Sequence, residues 1–354
     1  MPPRVGIVGI SGYYAFAFAE ALWENHGVEF VAASTWPPEE ERGVSIGQIP
    51  PRGGASRRTS LEEYGRHFEV RMYDDPVTMI SEESLDGVCV CGNTVDHGDK
   101  VEAMAPTGVH MFFHKPMCET VEESDRILDI IRKHGNKTGA CNPARYDDAI
   151  RQAKALIDAG DLGDVMSVRA YLSRSGTLKS RVPAGVEMRG PEVHLGFYTA
   201  DLTQWFMDWA EVESAFAHYA KLNPYDAQPQ DSAKGLIKFK DGRIGSMDLY
   251  CSPQWPGPLW EIEAMGTAGF VRTSQSASQG TLFTKDGVHG FQHDHQHAKR
   301  VHVNELDAWV TAVRDGVDCE LSAELAARGI ELCVAWKRSS DENRPVSFPV
   351  ERRF

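Results

Sequence analysis

Two hydrophobic periods divide the chain. Over the first 140 residues, short unbroken apolar runs alternate with stretches of helical spacing. "RVGIVGI", "VEFVAAST", "DGVCVCG", "VHMFFH" and "KTGACN" are compact runs of the kind that form strands buried on both faces. Between them, "AFAFAEALWEN", "VDHGDKVEAMAPTG" and "VEESDRILDIIRKHG" repeat at the helical period, the last with Ile127, Ile130 and Ile131 on one stripe. Such alternation predicts a doubly wound parallel sheet. The connection "WPPEEERGVSIGQIPPRGGASRRTS" shows no period and reads as loop, with at most one short helical turn.

After the helical segment "YDDAIRQAKALIDAGDLG" the pattern changes. "DVMSVRAYLS", "AKGLIKFKDGRIGSMDLYC", "WEIEAMGTAGFVRT" and "GTLFTKDGVHGF" alternate with period two, and Asp241-Gly242 and Asp286-Gly287 are hairpin-turn pairs. "VNELDAWVTAVRDG" and "SAELAARGIELCVAWKRSSDE" return to helical spacing. The expectation is an α/β chain of two domains. Residues 1–140 form a dinucleotide-binding Rossmann domain. Residues 141–354 form an α+β domain with a mostly antiparallel sheet, for substrate binding and oligomerisation.

Composition narrows the partners. A formal net charge of −14 over 354 residues repels phosphate backbones, so no nucleic-acid partner is expected. No apolar run reaches the roughly 18 residues of a membrane span, and the start carries no signal-peptide pattern. Seven cysteines, an odd number, read as reduced thiols, and a cytoplasmic protein is expected.

The chemistry begins at "VGIVGISGYYAFAF". Gly9, Ser11 and Gly12 lie between a predicted strand and a predicted helix that opens at Tyr13. Small residues there let the backbone approach a pyrophosphate at a helix N-terminus. The other reading is a glycine turn with nothing bound. The second strand ends in Ala33-Ser34-Thr35-Trp36, without the acid that selects NAD about 20 residues after the loop. Thr35 accepts either NAD or NADP. Arg42, Arg52, Arg57 and Arg58 favour a 2′-phosphate and tilt the reading slightly to NADP, while Glu39, Glu40 and Glu41 oppose it. In "VHMFFHKPMCET", Lys115 ends a buried strand just before a proline. It is either a loop lysine held by a helix N-terminus or a group that does chemistry.

Taken in order, "RVGIVGISG", "VCVCGNTVDHGDKVEAM", "GVHMFFHKPMCETVEES", "CNPARYDDAIRQAKALIDAGDLGDV", "EIEAMGTAGFV" and "ELCVAWKRSSDENRPVSFP" resemble the Gfo/Idh/MocA oxidoreductases. The resemblance covers nearly the whole chain. It implies a Rossmann domain followed by a large open sheet, a nicotinamide cofactor, and hydride transfer at a carbinol of a sugar, sugar derivative or cyclitol. It also implies a homodimer or homotetramer. Lys115 falls on the family's catalytic lysine. Asn93, His97 and His114 fall on cofactor-proximal segments, as does Tyr13 beside the glycine loop, and Arg145 falls near the substrate cleft. The family's Asp-x-Gly-x-His-x-x-Asp reads here His194-Leu195-Gly196-Phe197-Tyr198-Thr199-Ala200-Asp201. Tyr198 is assigned as partner of the lysine, His194 as its orienter or proton relay, and Asp201 as a substrate contact. Tyr198 can also be read as a core aromatic, and His194 as a buried structural histidine.

Histidines 114 and 194 replace family acids. If charged, they would depress the pKa of Lys115. His293, His295 and His297 alternate as metal ligands can, yet no metal is expected, because the family does not use one there. Two other functions stay open: glycoside cleavage through transient oxidation, and a non-catalytic nucleotide-responsive binding protein.

Overall fold

The computed structural model describes residues 2–10, 13–25, 27–36, 48–49, 57–58, 61–173, 192–224, 229–251, 259–274, 279–292 and 301–352. The chain divides into two compact units: Met1–Cys141 with Arg300–Ala327, and Asn142–Lys299 with Arg328–Phe354.

In the first unit, strands and helices alternate as β1 (Arg4–Val8), α1 (Tyr13–Glu24), β2 (Glu29–Ser34), the short pair β3 (Gln48–Ile49) and β4 (Arg57–Arg58), α2 (Leu61–Phe68), β5 (Arg71–Tyr73), α3 (Pro76–Glu83), β6 (Gly87–Val90), α4 (His97–Met104), β7 (His110–Phe113), α5 (Val121–His134) and β8 (Thr138–Ala140). The main sheet runs β5-β2-β1-β6-β7-β8, with every pair parallel. Its order reverses between β1 and β6, and ligands of such sheets sit beyond the carboxyl ends of the strands at that point. Local signals set the helix ends. Thr120 caps α5 by accepting from the Glu123 amide at 3.2 Å, with acids in the first turn and Arg132, Lys133 and His134 in the last.

The second unit contains α6 (Asp148–Asp158), β9 (Val165–Ser173), α7 (Glu192–Phe206), β10 (Val212–Ala220), β11 (Ser232–Phe239), β12 (Ile244–Tyr250), β13 (Leu259–Gly266), β14 (Gly269–Ser274), β15 (Gln279–Thr284) and β16 (Gly287–Gln292). After α8 (Val301–Asp315) and α9 (Ala323–Glu342), β17 (Val346–Ser347) closes the sheet edge. The order is β16-β15-β14-β13-β9-β12-β11-β10-β17. All its neighbours are antiparallel except β9 and β12. In β11, Ala233, Ile237 and Phe239 are buried while Lys234, Leu236 and Lys238 are exposed. The exposed face carries an apolar row: Ile244, Met265, Phe270, Phe283 and Val288 sit in register across β12, β13, β14, β15 and β16, bridged by Ser167 of β9.

One expectation needs adjusting. Residues 141–354 do not form one continuous unit, because α8 belongs to the first. Leu306, Trp309 and Val310 enter the core formed by Val5, Ile7, Phe18 and Phe112. Gly87 of β6 makes room for Trp309, since a Cβ there would lie 2.6 Å from its ring. The sequence also hid α2, α3, β5 and β10, which are short or carry mixed polarity. No helix among the described residues is long and apolar enough to cross a membrane.

Candidate active site

The cofactor cradle starts at Gly9, directly after β1. Its φ of +81° is one that side chains rarely adopt, and a Cβ would lie 2.5 Å from the Cys91 carbonyl oxygen. The backbone therefore turns close beneath β6 as a pyrophosphate loop requires. Ser11 and Gly12 lie outside the described residues. Tyr13 opens α1 and is exposed. Thr35 follows β2 but is buried, with its amide donating to the Tyr73 carbonyl at 3.1 Å. Arg42 and Arg52 lie outside the described residues, and only the backbone of Arg57 and Arg58 is described. Asn93 caps the turn after β6.

Beyond β7 the carboxyl edge holds Lys115, which is 9% exposed, with Nζ 5.8 Å from the centroid of the Tyr14 ring. The same Tyr14 ring stacks on His114 at 5.2 Å, with planes 6° apart. His114 faces two carbonyls. Nδ1 lies 3.0 Å from Lys115 O and Nε2 lies 2.9 Å from Gly92 O. Burial pushes its pKa down to about 4, against the pull of both carbonyls. His114 is therefore neutral near pH 7, and its single N–H can serve only one of the two carbonyls. The condition under which it would depress Lys115, a charged ring, is not met. Both nitrogens face backbone carbonyls, so the His114 ring is an internal, structural one.

His97 is also internal. It is fully buried, donates from Nδ1 to Met117 O at 2.8 Å, and meets His114 edge-on at 4.7 Å. Burial, with His114 and Lys100 beside it, holds its pKa well below the usual histidine value. Lys100 was not foreseen. It is fully buried on α4, donates to Cys91 O at 2.6 Å, and lies 3.1 Å from the place a Gly9 Cβ would take. Its lysine stands amid helical spacing, where a solvated charge is the ordinary expectation.

In the second unit, α7 is helical through His194 and Tyr198, so the two share a face. Tyr198 is buried and stacks on Trp260 at 5.7 Å. Arg145 and Asp201, expected on the substrate side, belong to the second unit. Both are fully buried and paired with each other, at 2.7 Å from Nε to Oδ2 and 2.8 Å from Nη2 to Oδ1. Asn142 adds a third bond to Asp201 at 2.6 Å, and the Trp205 and Trp209 rings cover the guanidinium at 4.6 and 5.4 Å. His293, His295 and His297 lie outside the described residues.

Comparison with known proteins identifies the family. The family model described as "Oxidoreductase family, NAD-binding Rossmann fold" matches residues 3–140, and that of the GFO/IDH/MocA C-terminal domain matches residues 150–272. The chain belongs to the Gfo/Idh/MocA oxidoreductases. Among Gfo/Idh/MocA relatives, scyllo-inositol 2-dehydrogenase (NAD(+)) of Bacillus subtilis is 23% identical over 300 residues, 83% of this chain and 86% of its own. Myo-inositol 2-dehydrogenase of Thermotoga maritima is 25% identical over 291 residues, 78% of this chain and 84% of its own. An oxidoreductase from Agrobacterium radiobacter, solved with NAD+, L-tartaric acid and magnesium, shares the fold with a TM-score of 0.80 at 17% identity, covering 98% of both chains. The Gfo/Idh/MocA nucleotide domain is therefore an NAD-binding Rossmann fold, and the Gly9 turn below β6 is the feature that fits it.

Proposed function

We propose that this protein moves a hydride between a nicotinamide cofactor and a carbinol of a polyol, an inositol or a sugar, with Lys115 as the acid/base. The observation that carries the reading is the placement of Lys115. It lies at the carboxyl edge of the sheet whose first strand ends in the Gly9 turn, nearly buried, with its ammonium over an aromatic face. The two curated relatives named above are inositol dehydrogenases, which supports the substrate class.

A bound nicotinamide supplies the hydride acceptor or donor. The chain's own residues handle the proton. In oxidation the carbinol carbon loses its hydride and its oxygen loses a proton, which Nζ of a neutral Lys115 takes up; reduction runs the reverse. Tyr198 is proposed as a second hydroxyl in proton handling, with His194 one helical turn before it as its orienter. NAD is the cofactor expected from the family, and NADP remains the finer alternative. The apolar row on the open sheet face is proposed to pair with a second copy, giving a homodimer or homotetramer. All seven cysteines are buried thiols outside any disulfide, which fits a reducing cytoplasm.

The test is to mix purified protein with NAD+ or NADP+ and scyllo-inositol, myo-inositol or a monosaccharide panel, then follow reduced-nicotinamide absorbance. Turnover that needs Lys115 supports the reading. Lack of nicotinamide binding, read by NADH fluorescence, would sink it.

A further inference from the structure

Glu305 of α8 has no exposed surface. Glutamate is rarely buried unless paired. Its Oε1 accepts from His302 Nδ1 at 2.6 Å. His302 is in turn packed edge-on by Tyr13, Tyr14 and Phe18 at 6.1, 5.9 and 5.7 Å. The thiol of Cys141, just past β8, lies within 4.8 Å of both partners' polar atoms. Burial and the neighbouring Glu305 carboxylate push the thiol pKa well up, so Cys141 stays protonated beside Glu305. The same sulfur accepts from the backbone N–H of Lys115. A continuous chain thus runs from the lysine to a buried carboxylate: Lys115 amide, Cys141 thiol, Glu305, His302.

We infer that Glu305, oriented by His302 and joined to Lys115 through Cys141, is a positioning residue: it fixes the strand end that carries the lysine and supplies the buried negative charge that favours the lysine's ammonium form. The residue before the lysine cannot do this, because position 114 holds a neutral histidine. The carboxylate comes instead from a helix about 190 positions further along the chain, which the fold returns to this sheet. Other titratable groups surround the pair. Tyr13 and Cys89 feel Glu305, and Tyr13 also feels Glu20. His114 faces Lys115 and Lys100, and His97 faces His114 and Lys100. Glu305 is the buried carboxylate on the Cys141 side.

This inference rests on the assignment of Lys115 above, and its test does not need substrate. Protein labelled with 13Cε-lysine is titrated by NMR, with the Lys115 resonance assigned by its loss in Lys115→Met. In Glu305→Gln the Lys115 midpoint should fall, by up to about one pH unit, the direction that loss of an opposite charge gives. Cys141→Ala should give part of that fall, and Cys141→Ser, which keeps a donor and an acceptor, should restore the wild-type value. A merely structural role for Glu305 would lower stability and leave the midpoint alone. An unchanged midpoint in folded Glu305→Gln overturns the inference; if that variant does not fold, an unchanged midpoint in Cys141→Ala does so. The catalytic reading fails separately, through turnover that survives Lys115→Met.

Discussion

Arg145 and Asp201 meet through two parallel hydrogen bonds of 2.7 and 2.8 Å, with neither side chain exposed. The pair holds the turn after Asn142 against α7, from within the second unit. Removing one partner leaves the other charge buried alone, which costs roughly 3–5 kcal/mol. Asp201→Asn should therefore lower unfolding free energy by about that much in urea titrations. A substrate contact would behave differently, raising KM with little loss of stability.

Lys115→Met removes the proposed proton acceptor and keeps most of the side-chain volume. kcat should fall by about 10²–10⁴-fold, the usual contribution of a positioned acid/base. NADH affinity, measured by fluorescence, should change only a few-fold. Equal loss of both would point to a binding role.

His114 makes stability depend on pH. Its native pKa of about 4 lies below the unfolded value of about 6.5. Below pH 6.5 the unfolded chain takes up a proton that native His114 refuses. The stabilisation is thus complete above pH 6.5 and is lost as pH falls toward 4, by up to about 3 kcal/mol. His97 acts in the same direction. Urea unfolding at pH 7 and pH 4.5 should show a smaller pH dependence in His114→Phe than in wild type; equal slopes would contradict the assignment.

Gly9→Ala forces a Cβ to within 2.5 Å of Cys91 O at φ +81°. The strain is of the order of 1–3 kcal/mol. Displacing the turn should weaken NADH binding by more than tenfold in calorimetry, while circular dichroism stays native. Unchanged binding would mean that the turn does not cradle the cofactor.

The exposed row on the large sheet predicts self-association. Phe283→Lys, placed between Phe270 and Val288, should shift the protein to a smaller species in light scattering. An unchanged mass would move the interface elsewhere.

Sequence pattern alone determined what local rules control. The buried runs placed β1, β2, β6, β7 and β8, the helical run "VEESDRILDIIRKHG" placed α5, and Asp241-Gly242 and Asp286-Gly287 marked the turns after β11 and β15. Gly9 and Lys115 stood out as candidates because each follows a strand end, where period and composition change together. Partnership and charge state were decided only in three dimensions. Arg145 and Asp201 are 56 positions apart, and each alone reads as a polar residue near a cleft. The sequence left the charge of His114 open, and burial makes it neutral. Glu305 lies within the helical run "VNELDAWVTAVRDG", whose spacing does not show that the fold brings it to Cys141. Spacing along a chain determines which face a side chain takes, whereas desolvation and pairing depend on atoms that only long-range packing brings together.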